Sequence, residues 1–276
     1  MKITQIRNAT NKLYYGNTTF LIDPWLAPKH TLYTAAMEPQ LYHLVDPVMD
    51  HMAMPFYDLP MTKEDILSHV DFYIVTHLHP DHIDVNVETG TIGDSLDKTV
   101  PVICQNKEDA SPLKNSGFID VTILTEQGLT IGTTTLHKTP CRHGVIKPSG
   151  EAMGVVFTNP SEKTLYLAGD TILYEGVYQS LATYAPNVIM LNACAAEMIS
   201  EGRLIMNDED VAAIGKLMPD ANLSIFRFRL VVRYFLCSRE GFVAIFPFPV
   251  VLIVLFRSLV FRLCLFFLLL LFRLLL

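Results

Sequence analysis

The sequence predicts an α/β (α+β) protein in which two sheets pack face to face with helices outside. Three observations carry this: two separate series of short apolar strands, cap-marked helical stretches lying between them, and a body of residues 1–223, enough for one well-filled core. In chain order, Lys2–Arg7 and Thr18–Ile22 read as strands. A helix is expected over Thr62–His69, where Thr62 and Asp65 have capping-box spacing, and another over Asn106–Ser116, closed by Gly117. Around them Phe72–Thr76, Val100–Cys104, Val121–Leu124 and Thr130–His137 complete the first strand series. The second series is Met153–Thr158, Thr164–Ala168 and Asn187–Leu191, with helices at Glu175–Tyr184 and Asp208–Met218. No repeat of 20–50 residues is present, which excludes a solenoid or propeller.

Between Pro24 and Pro60 the chain is rich in Pro, Met and aromatic residues and holds no sustained period. Loops of that length in compact domains are commonly functional. Tyr33, Tyr42, Phe56 and Tyr57 are read either as a lid over a site or as a packed connector.

The chemistry is concentrated in Thr76-His77-Leu78-His79-Pro80-Asp81-His82-Ile83-Asp84, which places four candidate metal ligands within six residues after an apolar strand. In an extended segment alternate side chains share a face, so His77 and His79 point the same way and can hold one cation. Pro80-Asp81 then bends the chain, which swings Asp81 and His82 toward a second cation near the first. Imidazole with carboxylate suits Zn2+, with Mn2+ or Fe2+ as alternatives. A purely structural role is disfavoured, because buried unpaired polar groups cost free energy.

This run resembles the signature of the metallo-β-lactamase superfamily, whose members are αββα sandwiches with two metal ions, and the resemblance extends from residue 1 to about 222. It implies that Cys141-Arg142-His143-Gly144 supplies the third histidine of the first metal and that Asp170, after Thr164-Leu165-Tyr166-Leu167-Ala168-Gly169, bridges the ions. His137 has the same strand parity as His143 and competes with it; Gly144 permits the tight turn that favours His143. Thr19-Phe20-Leu21-Ile22-Asp23-Pro24 resembles the early strand whose aspartate supports the site from behind a ligand. The implied assignment is His77, His79 and His143 on metal 1, Asp81 and His82 on metal 2, and Asp170 between, with catalysis resting on Asp81 and Asp23. A metal-bound hydroxide would then attack an ester, lactone, thioester or phosphodiester of a small-molecule substrate. The family also places a last metal histidine on a strand near Ser224–Leu230, whereas no His follows His143 in this chain. The second ion is therefore expected to be weakened, and a catalytically impaired metal-binding relic is the alternative reading.

Composition divides the chain at residue 223. Residues 1–223 hold 14 Lys and Arg against 27 Asp and Glu, a balance of −13, while residues 224–276 hold seven Arg against one Glu, a balance of +6. An acidic body disfavours nucleic acid as a partner, since such affinity comes from basic residues facing phosphates. Five Cys at irregular spacing, with no signal peptide before Met1-Lys2-Ile3, place the chain in the cytoplasm. The 224–276 tail is low-complexity Leu, Phe and Arg, read either as the product of a lost reading frame or as a membrane anchor. A span is opposed by Pro247, Pro249 and by Arg257, Arg262 and Arg273, each central Arg costing roughly 2.5–3.5 kcal/mol. Oligomeric state is left open.

Overall fold

Six strands from the first half of the chain form one sheet: β1 (Lys2–Arg7), β2 (Thr10–Tyr15), β3 (Thr18–Ile22), β4 (Phe72–Ile74), β5 (Val102–Cys104) and β6 (Val121–Ile123), in that spatial order. The first three pair antiparallel and the rest parallel. The structure, a computed structural model, describes residues 1–226 except 45, 46 and 87, together with three short strands at 236–238, 241–244 and 253–255. Helix α1 (Lys63–Leu67) precedes β4, with Thr62 Oγ1 accepting from Asp65 N as its cap. Helix α2 (Lys107–Asn115) joins β5 to β6 and is capped by Asn106.

The second sheet takes β7 (Leu129–Ile131), β8 (Thr134–Pro140), β9 (Met153–Thr158), β10 (Leu165–Leu167) and β11 (Val188–Asn192). After the small hairpin β12 (Glu197–Met198) and β13 (Gly202–Arg203), strand β14 (Asn222–Phe226) joins beside β11. Strands β7 to β10 are antiparallel, whereas β10, β11 and β14 are parallel, their crossovers made by α3 (Glu175–Tyr184) and α4 (Asp208–Leu217).

Period-two alternation decides which side chains meet between the sheets. Phe20, Ile22 and Ile74 of the first sheet pack with Val155, Phe157, Leu165 and Leu167 of the second. The intervening Leu21, Tyr73 and Val75 face outward onto Ile66 of α1 and Leu113 of α2. On the opposite side Val156, Tyr166 and Ile189 face Val177, Leu181 and Ile214 of α3 and α4. The result is the αββα arrangement. Phe157 contacts both Tyr15 and Phe20 at centroid distances of 5.6 and 5.4 Å, and truncation of such a buried ring costs about 3–5 kcal/mol.

Two departures from the sequence reading have local causes. Strand β2 was not expected, because its Thr10 and Asn11 are polar yet buried, the Thr10 hydroxyl donating to the Asp23 carbonyl and the Asn11 amide to that of Ala9. The predicted strand over 130–137 is instead the β7–β8 hairpin, turned at Gly132 with φ 59°.

The readings of residues 224–276 as frame-lost or membrane-anchoring fall almost wholly outside the described residues. Within that span the chain forms β14's end and the antiparallel strands β15 (Leu236–Ser238), β16 (Gly241–Ala244) and β17 (Ile253–Leu255). Among the described residues no helix is long and apolar enough to cross a membrane.

Candidate metal centre

The ends of four strands deliver the site. Asp23 follows β3 with φ 46°, and its backbone N–H donates to the Ile74 carbonyl at 2.8 Å. Its carboxylate accepts from Thr76 N at 2.8 Å and Thr76 Oγ1 at 2.9 Å, which fixes the chain where it leaves β4. His77 and His79 come next, and His82 N donates back to His79 O at 3.0 Å, turning the chain so that His82 returns to Asp23. His82 Nδ1 lies 2.8 Å from Asp23 Oδ2.

His143 enters from the loop after β8. Its Nδ1 lies 3.1 Å from the Leu204 carbonyl, so the Nδ1 proton is donated there and Nε2 faces inward with a free lone pair. Gly144 has φ 146°, and a Cβ at that position would meet Lys147 O at 2.1 Å, so the turn that presents His143 requires glycine. Asp170 lies just beyond the end of β10, after Gly169, whose φ of 70° and close approach to Met153 O impose the same requirement.

These side chains converge. His77 Nε2 is 2.9 Å from His79 Nδ1, and Asp170 Oδ2 is 3.2 Å from His82 Nε2 and 3.9 Å from His143 Nε2. Two sets of three ligand atoms each lie mutually within 4.8 Å: His77, His79 and His143, and His77, His82 and Asp170. Burial is the main reason the His77 imidazolium is disfavoured, its pKa falling well below the ordinary value, with the neighbouring His82 adding to this. His79 is pushed down to about 4, again chiefly by burial, with Asp81 opposing. Neutral imidazoles keep the lone pairs that a cation needs. Four buried or half-buried rings with converging nitrogens around one carboxylate fit a divalent cation of the zinc type.

Asp81 stands outside both sets; it is half-buried, and its charge acts on His79, Tyr33 and Tyr42. His137 is directed elsewhere, its Nε2 3.0 Å from Thr158 Oγ1 and its ring 5.1 Å from that of Tyr184. Cys141 Sγ contacts the Ala168 carbonyl at 3.2 Å, and burial raises its pKa, which keeps it a neutral thiol.

Two groups escaped sequence reasoning. Asn192, at the end of β11, donates from Nδ2 to Asp170 Oδ1 at 2.6 Å. A polar residue ending an apolar strand beside the Asp170 strand was the available signal. The Leu204 carbonyl is backbone and left none.

The 24–60 segment is tied to the body by Arg7, which donates to Tyr57 O, Trp25 O and Ala27 O at 2.9, 3.2 and 2.7 Å. Tyr33 and Tyr42 stack at 6.1 Å and share a 2.7 Å hydroxyl contact, while Ile199 N of the β12–β13 turn donates to Leu41 O. Phe56 is half-buried and Tyr57 exposed.

A two-sheet sandwich carrying clustered His and Asp residues at its strand ends is the metallo-β-lactamase fold found in metallo-hydrolases. A sequence profile for the beta-lactamase superfamily domain matches residues 42–223. The UPF0173 protein YddR of Bacillus subtilis (strain 168) is 36% identical over 244 residues, 87% of this chain and 90% of that protein. The chain therefore belongs to the metallo-β-lactamase superfamily. Among solved structures, that of a possible metal-dependent hydrolase from Veillonella parvula DSM 2008 is 37% identical with a TM-score of 0.72, covering 81% of this chain and 84% of that one. An isothiocyanate hydrolase from Delia radicum gut bacteria is 32% identical with a TM-score of 0.70, covering 83% and 85%.

Proposed function

We propose that residues 1–223 form a hydrolase domain with a two-metal centre acting on a small molecule. Its first ion would be held by His77, His79 and His143 and its second by Asp81 and His82, with Asp170 serving both; Asp81 lies outside the two converging sets and is assigned by family resemblance alone. The convergence of His77 Nε2, His79 Nδ1, His82 Nε2, His143 Nε2 and Asp170 Oδ2 carries this reading. When bound, such ions supply Lewis acidity and a water whose pKa is lowered from 15.7 to about 7. The chain's own contribution is orientation: Asp23 holds the proton of His82 on Nδ1, and the Leu204 carbonyl does the same for His143. Burial keeps both His77 and His79 uncharged at neutral pH.

The substrate is an ester, lactone, thioester or phosphodiester, cleaved by water, or an isothiocyanate, to whose central carbon water adds, the last suggested by similarity to the Delia radicum gut-bacterial enzyme. Zinc is the favoured metal, with manganese or iron as alternatives. The acidic body supports a non-nucleic-acid substrate, and irregular cysteine usage supports a cytoplasmic setting. The test is turnover by chelator-stripped and metal-restored protein on a panel: an aryl ester, a lactone, a thioester, a bis-aryl phosphodiester and an aryl isothiocyanate. Metal-dependent turnover of at least one is expected. A second reading, an impaired metal-binding relic, rests on the absence of any His after His143. It would prevail if metal-loaded protein turned over none of the panel.

A further inference from the structure

Asp170 can bridge two cations through one oxygen only if its carboxylate is prevented from rotating. Its Oδ2 faces the cluster, 3.2 Å from His82 Nε2 and 3.9 Å from His143 Nε2. Its Oδ1 is turned away and receives the Asn192 Nδ2–H at 2.6 Å. Both side chains are buried, Asp170 at 1% and Asn192 at 4% exposure, so the amide meets the carboxylate away from bulk solvent. Asn192 is itself fixed by backbone. It ends β11, which lies in parallel register with β10 on one side and β14 on the other, where Asn192 stands opposite Phe226.

We infer that Asn192 is a positioning residue for the metal centre, holding Asp170 so that Oδ2 alone is offered to the ions. The inference rests on the metal-centre reading above and adds a residue to it. An amide suits the task chemically: it gives Oδ1 a donor in a dry site and brings no positive charge that would compete with a cation for the carboxylate. An apolar residue would leave Oδ1 without that donor, and Asp170 could then turn both oxygens toward one ion. An aspartate of the same shape would set two acceptors against each other. Outer groups that orient a ligand typically govern affinity by 10–100-fold.

The experiment is a zinc titration of chelator-stripped full chain, wild type against Asn192→Asp and Asn192→Ala, with the Co(II) absorption spectrum recorded in parallel. The most weakly held ion should bind about 10–100-fold more weakly in both variants. The cobalt bands should also shift, a change that a purely packing role would not produce. Thermal melts of the stripped proteins identify any variant that fails to fold, in which case the other decides. Wild-type affinity for every ion together with an unchanged cobalt spectrum in a folded variant would overturn the role of Asn192. If the wild type itself took up no zinc or cobalt, the metal-centre reading would fall and this inference with it.

Discussion

Replacing Asp23 with Asn tests how the tautomer of one ligand is set. Asp23 is 2% exposed and accepts three hydrogen bonds: from Thr76 N at 2.8 Å, from Thr76 Oγ1 at 2.9 Å and from His82 Nδ1 at 2.8 Å. A carboxylate only accepts, and Asp23 Oδ2 at 2.8 Å lies closer to His82 than Asp170 Oδ2 at 3.2 Å, so the shorter bond holds the proton on Nδ1 and leaves the Nε2 lone pair for a cation placed between His82 and Asp170. An Asn of the same shape can still accept from Thr76 N through its oxygen. Its NH2 then faces His82 and demands an acceptor, which moves the ring proton to Nε2, where it points at Asp170 Oδ2. The ligand is thereby blocked. The expected loss is about 10–100-fold in affinity for the ion that His82 is proposed to hold, or about 1.4–2.8 kcal/mol. Stability of the stripped protein should change less, because charge-assisted bonds are exchanged for neutral ones and a buried charge is removed at the same time. Titration calorimetry with zinc and a thermal melt of the stripped protein separate the two quantities. Wild-type zinc affinity in a folded Asp23→Asn variant would refute the tautomer argument.

Replacing His77 and His79 together with Ala should abolish tight binding of the first ion, which elemental analysis measures; unchanged zinc stoichiometry would contradict it. Asp170→Asn should lose one ion and most turnover while remaining folded, whereas retention of both metals at full rate would reduce Asp170 to a turn residue. Tyr15 gives an alkaline signature: its hydroxyl lies 3.0 and 2.9 Å from the Phe157 and Lys163 carbonyls, and burial pushes it up to about 12. The neutral phenol is the form the fold favours. Its contribution is therefore fully present below the unfolded pKa of about 10 and is lost as pH rises toward 12. Tyr15→Phe should cost about 1–3 kcal/mol at pH 8 and flatten the loss of stability above pH 10 in denaturant melts; an equally steep alkaline limb would refute this.

Local pattern carried most of what could be read in advance. His77, His79 and His82 lie in one short run, and their convergence follows from strand parity and a turn, both local properties. His143 and Asp170 are 27 residues apart and meet only because β8 and β10 both flank β9. Their spacing contains no such information, and resemblance to a family supplied it. His143 and His137 could not be separated by parity; the hairpin carbonyl of Leu204 receives one and Thr158 the other. Asn192 stayed hidden because a single Asn at a strand end more often marks a turn. Strand β2 was missed because polar Asn11 shares the inward face of Leu13 and Tyr15 while Thr10, on the other face, is buried as well, which breaks the apolar alternation.

The central claim is that the five converging donors hold divalent metal. An anomalous difference map at the zinc edge, from crystals of the full chain equilibrated with zinc, tests it most directly. One strong peak is expected about 2.0–2.1 Å from His77 Nε2, His79 Nδ1 and His143 Nε2. A second, weaker peak should lie between His82 Nε2 and Asp170 Oδ2. A map with no peak among these side chains would contradict the account.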